Sequence, residues 1–308
     1  MSLTYTIPQA EAPAPALVAP KNILIATDFS ECSERALSYA TGAARRYGST
    51  LHFAHVVPIN TFYLSGFDAL GVAIGQAQRE AAALVRRLER EQQLAGVKHH
   101  TWVLRGFVAE MLAGLILRER IDLVVVGTHG RTGLSKLVMG SVAEEVFRKS
   151  PCPVLTVGPR VPEARPGSGL QAVLFATDFS ADSVRALPYA LSAAREFGAE
   201  LTLLHVLEPG EEMAGDHTRR DSLLHTRLEA MLGSEAGRVR ARMQIAGGDP
   251  AACIVEAAAQ RGAGVIVLGL KAPQMFSDRL PWLYAYRIVS QAPCTVLTVR
   301  GKLANPTS

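Results

Sequence analysis

The sequence predicts an α/β protein made of two tandem doubly wound domains, each a mainly parallel five-stranded sheet with helices on both faces. Three observations predict it: the length of 308 residues, an internal repeat the size of a whole domain, and an alternation of β-branched runs with Ala/Leu/Arg segments in each copy. At about 150 residues per domain the length suggests two units, each large enough to bury a core.

The repeat locates them. Lys21–Ser30 (KNILIATDFS) returns as Gln171–Ser180 (QAVLFATDFS) at an offset of 150, and Arg35, Gly48 and His55 match Arg185, Gly198 and His205. Ser150–Val157 (SPCPVLTV) returns as Ala292–Val299 (APCTVLTV) at an offset of 142. Gly106 and Gly248 already stand at the shorter offset, so the second copy has lost eight residues between His55 and Gly106, in or beside its second helix. A unit this long is a domain, not a solenoid repeat of about 20 to 50 residues. Prolines and glycines crowd the stretch between the copies, as linkers do. The expected division is a Pro/Ala-rich tail over 1–20, a first domain over 21–158, a linker over 159–169, a second domain over 170–301 and a tail over 302–308.

Within the first copy, strands are expected at Ile23–Ala26, Leu51–Val57, His100–Leu104, Leu123–Val126 and Val154–Val157. Helical period places helices near 33–47, 73–95, 107–119 and 139–149. Strand, helix, strand implies right-handed crossovers and a parallel sheet covered on both faces. Ligands of such sheets sit beyond the carboxyl ends of the strands, at the switch point of strand order. The residues to watch therefore follow Ala26, His55 and Val126.

Composition excludes several classes. Thirty-two Lys and Arg against 28 Asp and Glu leave a net charge of +4 without a dense basic block, which argues against a nucleic-acid footprint. The longest nearly apolar stretch, Phe107–Leu117, is interrupted by Glu110 and is far shorter than the roughly 20 residues of a membrane span. The first twenty residues lack the basic start and apolar run of a secretory signal. Cys32, Cys152, Cys253 and Cys294 form neither a disulfide framework nor a Cys-x-x-Cys clamp, so a reducing cytoplasm is expected. The histidines lack metal-ligand spacing, and no G-x-S-x-G elbow marks a serine hydrolase.

Chemistry concentrates after Val126. There Gly127, Gly130 and Gly140-Ser141 give the spacing G-x2-G-x9-G-S between a strand and a helix. Glycine lets the backbone approach a ligand closely, and the amides of Gly140 and Ser141 are expected to face an anion at the positive end of the next helix. Arg131 and Lys136 add positive charge, so a di- or triphosphate suits the loop. His129 either touches phosphates or makes the turn. The loop is neither G-x-x-x-x-G-K-[ST] nor a G-x-G-x-x-G after the first strand, which disfavours a P-loop ATPase and a dehydrogenase. Asp28, at the tip of the first strand, either accepts from ribose hydroxyls or holds a metal beside phosphates, or it caps the following helix, a role open to Ser30 as well.

The pairing of Ile25–Ser30 (IATDFS) with the Gly127, Gly130, Gly140-Ser141 spacing and the closing Pro153–Val157 (PVLTV) resembles the universal stress protein family, in its tandem, ATP-binding form. The resemblance runs from Lys21 to Arg300. It implies an adenine nucleotide alpha hydrolase-like fold and an adenine nucleotide, ATP, held by Ala26, Thr27 and Asp28 near the ribose and by backbone around Val56 and Val126 near the base. At the phosphates it implies Gly127, His129, Gly130, Arg131, Gly140, Ser141 and Val142, with Asp28 reaching a nucleotide-bound Mg²⁺. It also implies pairing of two such domains through their last strands, Val154–Val157 and Val296–Val299, within one chain or in a homodimer. A stress-response binding protein with slow hydrolysis is the leading expectation. A nucleotide hydrolase or transferase, and a pairing module without nucleotide, are the alternatives.

The second copy departs from the pattern. At the 142 offset Gly130, Gly140 and Ser141 become Ala272, Trp282 and Leu283, while Arg131 and Lys136 become Pro273 and Asp278. Lost glycines, a lost amide and a negative charge each disfavour a polyphosphate. One nucleotide site per chain is expected, in the first domain. Trp282, Leu283, Tyr284 and Tyr286 either line an apolar pocket in the second or belong to its core.

Overall fold

The computed structural model describes residues 18–59, 66–128, 140–163, 170–207, 217–270 and 279–300. The first half runs β1 (Asn22–Ala26), α1 (Glu31–Tyr47), β2 (Thr50–Pro58), α2 (Gly66–Arg90), β3 (His99–Gly106), α3 (Val108–Arg118), β4 (Leu123–Gly127), α4 (Ser141–Lys149) and β5 (Val154–Val157). The second repeats it as β6 (Ala172–Ala176), α5 (Ala181–Phe197), β7 (Glu200–Leu207), α6 (His217–Leu232), β8 (Ala241–Gly247), α7 (Pro250–Gln260), β9 (Val265–Leu270), α8 (Arg279–Gln291) and β10 (Thr295–Arg300).

Local sequence explains where the elements begin and end. Helix α1 starts at Ser30, whose hydroxyl accepts from the Ser33 amide, carries Glu31 and Glu34 in its first turn and Arg45 and Arg46 in its last, and stops at Gly48 with φ of 67°. Helix α5 repeats this plan between Ser180 and Gly198. Helix α2 runs from Gly66 to Arg90 instead of 73 to 95, because left-handed turns at Gln92 and Gly96 end it early. Helix α6 has 16 residues against 25 in α2, and their last residues, Arg90 and Leu232, already stand at the 142 offset. The missing residues therefore precede the end of this helix.

All ten strands form one sheet in the order β3-β2-β1-β4-β5-β10-β9-β6-β7-β8. Each half is parallel throughout, and the junction of β5 with β10 is antiparallel, with Leu155 opposite Leu297. The Thr156 hydroxyl donates to the Val296 carbonyl and the Thr298 hydroxyl to that of Val154, at 3.1 and 3.3 Å. Because Thr156 and Thr298 are equivalent, these bonds follow a local two-fold about the junction.

The strands are apolar on both faces, as helices on either side require. On one face a single core joins the halves, running from Leu24, Leu115 and Phe147 through Val154 and Val296 to Ile266, Ile288 and Leu174. On the other, α1 covers Ile23, Ile25 and Phe53, while α5 covers Val173, Phe175 and Leu203 as a separate cluster. Arg46 of α1 meets Glu196 of α5 at 2.7 Å, and Arg300 of β10 donates to the Phe147 carbonyl at the end of α4. Burial, with Arg148 nearby, pushes the Arg300 guanidinium down to about 10.

Candidate functional site

Strand β1 lies between β2 and β4, so the strand order turns at its carboxyl end, where Thr27 to Ser30 form a turn held by its own side chains. The Thr27 amide donates to the Ala54 carbonyl at 2.9 Å, and its hydroxyl accepts from the Phe29 amide at 3.0 Å and pairs with the Ser33 hydroxyl at 3.1 Å. His55 Nδ1 lies 2.8 Å from the Thr27 carbonyl, and the Phe29 ring packs on the imidazole at 4.7 Å. Phe29 holds φ of 60°, a region bulky side chains avoid, so these contacts compensate a strained backbone.

The second half repeats the turn. Thr177 pairs with Ser183 and the Phe179 amide, His205 Nδ1 lies 2.9 Å from the Thr177 carbonyl, and Phe179 has φ of 59°. The repeated ATDFS segment and its distant histidine are thus accounted for by one self-bonded turn. Of the two roles expected for Asp28, the helix cap falls to Ser30. Asp28 Oδ1 accepts the Ser30 amide at 3.1 Å, one step outside the helix.

Asp178 does the same for Ser180 at 2.9 Å. Burial alone would raise its carboxyl, but hydrogen bonds from the hydroxyl and amide of Ser180, and from Ser183, outweigh it and hold the group below the usual carboxylate range. A depressed folded pKa stabilises the protein above the unfolded value of about 3.9, and this contribution is lost as pH falls through the folded one. Asp178→Asn is expected to cost about 0.5 kcal/mol at pH 7, small because the carboxylate is only partly buried, and progressively less as acid protonates the carboxyl. Urea midpoints of variant and parent across this range check it.

At the end of β4, Gly127 leaves no room for a side chain. A Cβ there would stand 2.7 Å from the Cys32 carbonyl oxygen and 3.0 Å from the Ser33 nitrogen. The start of α1 lies against this glycine, and the start of α5 lies still closer to Gly269. Helix packing, a requirement common to both halves, is thus one role of Gly127, beside the phosphate cradle expected of it.

Beyond it, the buried Thr128 donates its amide to the Val157 carbonyl at 3.0 Å and accepts the Gly140 amide at 2.7 Å. The Gly140 amide, expected to face an anion, is thus committed to closing the loop. Gly140 caps α4 in extended conformation without a side-chain cap bond. The first-turn amides behind it, at Ser141 and Val142, have no acceptor within their own helix. His129, Gly130, Arg131 and Lys136 lie outside the described residues, as do the side chains of Ser141 and Val142. Ala26 is in register with Val126, and the side chains of Val126 and Val56 belong to the core under α3 and α4.

The model of the universal stress protein family matches residues 20–158 and again 169–300. The chain belongs to the universal stress protein family. One half of it, 44% of the chain, is 32% identical over 141 residues to a universal stress protein of Methanocaldococcus jannaschii, covering 81% of that protein. A universal stress protein of Thermus aquaticus is also 32% identical, over 145 residues and 98% of its length. The crystal structure of a universal stress protein from Archaeoglobus fulgidus overlays with a TM-score of 0.71 at 22% identity, covering 91% of this chain and 98% of that one. The fold is accordingly the nucleotide alpha hydrolase-like one, twice in tandem.

In the second half of this universal stress protein, Ala272, Pro273 and Asp278 fall outside the described residues, as does the side chain of Trp282. Tyr284 and Tyr286 pack against the shared core, which favours the core alternative for them, and Leu283 is exposed. All four cysteines are free. Burial pushes the Cys152 and Cys294 thiols up to about 11 and about 12, which makes both inert packing groups at neutral pH. Among the described residues no three acidic, histidine or cysteine side chains are grouped to hold a metal ion, and no helix is long and apolar enough to cross a membrane.

Proposed function

We propose that the first half of this universal stress protein binds one adenine nucleotide, ATP, beyond the carboxyl ends of β1 and β4, and that the chain acts as a stress-response binding protein. Its output is a nucleotide-dependent conformation or partner affinity, with slow turnover at most. The observation carrying this reading is the start of α4, where Gly140 caps the helix without a side-chain bond and leaves first-turn amides for phosphate oxygens. The loop sequence adds Gly130, Arg131 and His129, and Asp28 stands across the switch point for the ribose.

Mg²⁺ enters with the phosphates, with Asp28 as the nearby carboxylate. The loop sequence supplies no evident general base for water, so hydrolysis is slow. The second half serves as the pairing partner of the first through β5 and β10, and the place of action is the cytoplasm.

The test is mass spectrometry of small molecules released from natively purified protein, together with calorimetric titration of ATP and a phosphate-release assay. One ATP per chain with negligible phosphate release is the expected result. Sustained turnover abolished by Asp28→Ala would make the protein a hydrolase or transferase. Failure to bind any adenine nucleotide would leave a pairing module and overturn the proposal.

A further inference from the structure

His52 carries no motif, yet its surroundings are unusual. It is 3% exposed on β2, in register with Leu24 of β1 and with His100 of the sheet-edge strand β3. Trp102, two residues along β3 on the same face, places its indole nitrogen 3.2 Å from His52 Nδ1, with the two rings parallel within 3°. An indole N–H can only donate, so Nδ1 is the acceptor and the imidazole proton resides on Nε2. That Nε2 is buried without a hydrogen-bond partner.

The end of α3 completes the environment. The Arg118 guanidinium lies 4.6 Å over the Trp102 ring and bonds Glu119 at 2.8 Å. Among the described residues the titratable and charged groups around His52 are His100 on β3, its ring 5.3 Å away, Arg118 at the end of α3 and Glu119 capping it, while β1 contributes the apolar Leu24. Burial, and after it His100, pushes the imidazole pKa down against the opposing influence of Glu119.

The second half is an internal control. The repeat offsets put Thr202, Arg242, Gln244 and Arg261 in place of His52, His100, Trp102 and Glu119. There Gln244 accepts from Arg261 at 3.2 Å, and no histidine stands at any of the four positions.

We propose that His52 and Trp102 form an acid-sensitive latch that holds edge strand β3 to the sheet in the first half alone. A proton on Nδ1 replaces the accepting lone pair with an N–H that faces the indole N–H. The bond is lost, and a cation is left buried under α3. Among the described residues strand β3 has a neighbour on one side only, so it is the element released. The sign follows from the folded state binding fewer protons than the unfolded one. The latch is complete above the unfolded histidine value of about 6.5 and weakens as pH falls below it.

Hydrogen exchange of the full chain at pH 7.5, 6.5 and 5.5, normalised for the intrinsic pH dependence of exchange, tests the proposal. Peptides covering β3 are expected to lose protection by up to about tenfold per pH unit below about 6.5, the limit for one linked proton, while those of β8 stay unchanged. His52→Gln, whose amide oxygen accepts the same indole bond, is expected to make β3 protection independent of pH. Equal acid sensitivity of β3 and β8, no sensitivity in either, or an unaltered response in His52→Gln would overturn the latch. Should that variant not fold, the comparison of β3 with β8 in the unaltered protein decides alone.

Discussion

Gly269→Ala is expected to destabilise the protein by about 3 kcal/mol or more, enough to unfold the second half under mild denaturant. The new Cβ would collide with the Asp182 carbonyl oxygen and the Ser183 Cα. Both are backbone atoms of the first turn of α5, which cannot rotate aside as a side-chain end can. Relief requires moving α5 off β9, and α5 is the helix that covers Phe175, Leu203 and Val267. Gly127→Ala makes the same intrusion less severely, at 2.7 Å from Cys32, and is expected to cost about 2 kcal/mol. Gly42→Ala is the control. This glycine lies inside α1 with open space around its Cα, so alanine is expected to gain about 0.5–1 kcal/mol. Urea denaturation of the three variants checks the order, and a neutral Gly269→Ala would refute the packing account of the glycine shared by both halves.

Gly140→Trp, which copies the residue at the equivalent position of the second half, is expected to abolish the rise in thermal stability that ATP confers. A ligand at 100 times its dissociation constant stabilises a protein by about 2.7 kcal/mol, and this whole increment is the predicted loss. The extended backbone of Gly140 is open to any residue, and its amide bond to Thr128 does not depend on the side chain. The variant should therefore keep its stability without nucleotide, which separates lost binding from lost folding. Gly140→Ser sharpens the test. A serine hydroxyl at the cap bonds the first-turn amides itself, so the variant is expected to gain a few tenths of a kcal/mol without ATP while binding ATP more weakly. Thermal melts with and without ATP read both effects. An undiminished ATP shift in Gly140→Trp would show that the start of α4 is not the phosphate site.

Much of the architecture was legible because the chain states it twice. The repeat offsets of 150 and 142 revealed the duplication and the shortened helix, and β-branched runs located the strands. The start of α2 was less legible, since helical period alone does not mark the first turn of a helix. The site was legible only in outline. Gly127 and Gly140 stood out by spacing, but spacing does not distinguish a glycine that admits a ligand from one that admits a neighbouring helix. The positions of Cys32 and Ser33 revealed the packing role of Gly127. For Asp28 the structure added a bond that spacing did not foretell, from the Ser30 amide to its carboxylate.

The sequence by itself determined what is local or periodic: the elements, the duplication, the family, and the asymmetry between a glycine-rich loop in the first half and a Trp- and Asp-bearing one in the second. Only the tertiary structure decided which amides are already committed, why one glycine recurs in both halves, and that His52 meets Trp102 beneath the end of α3. The physical reason is that these outcomes depend on atoms far apart in the chain. A residue's chemistry is written in its own letter, but its free valences are set by neighbours that folding alone brings within about 3 Å.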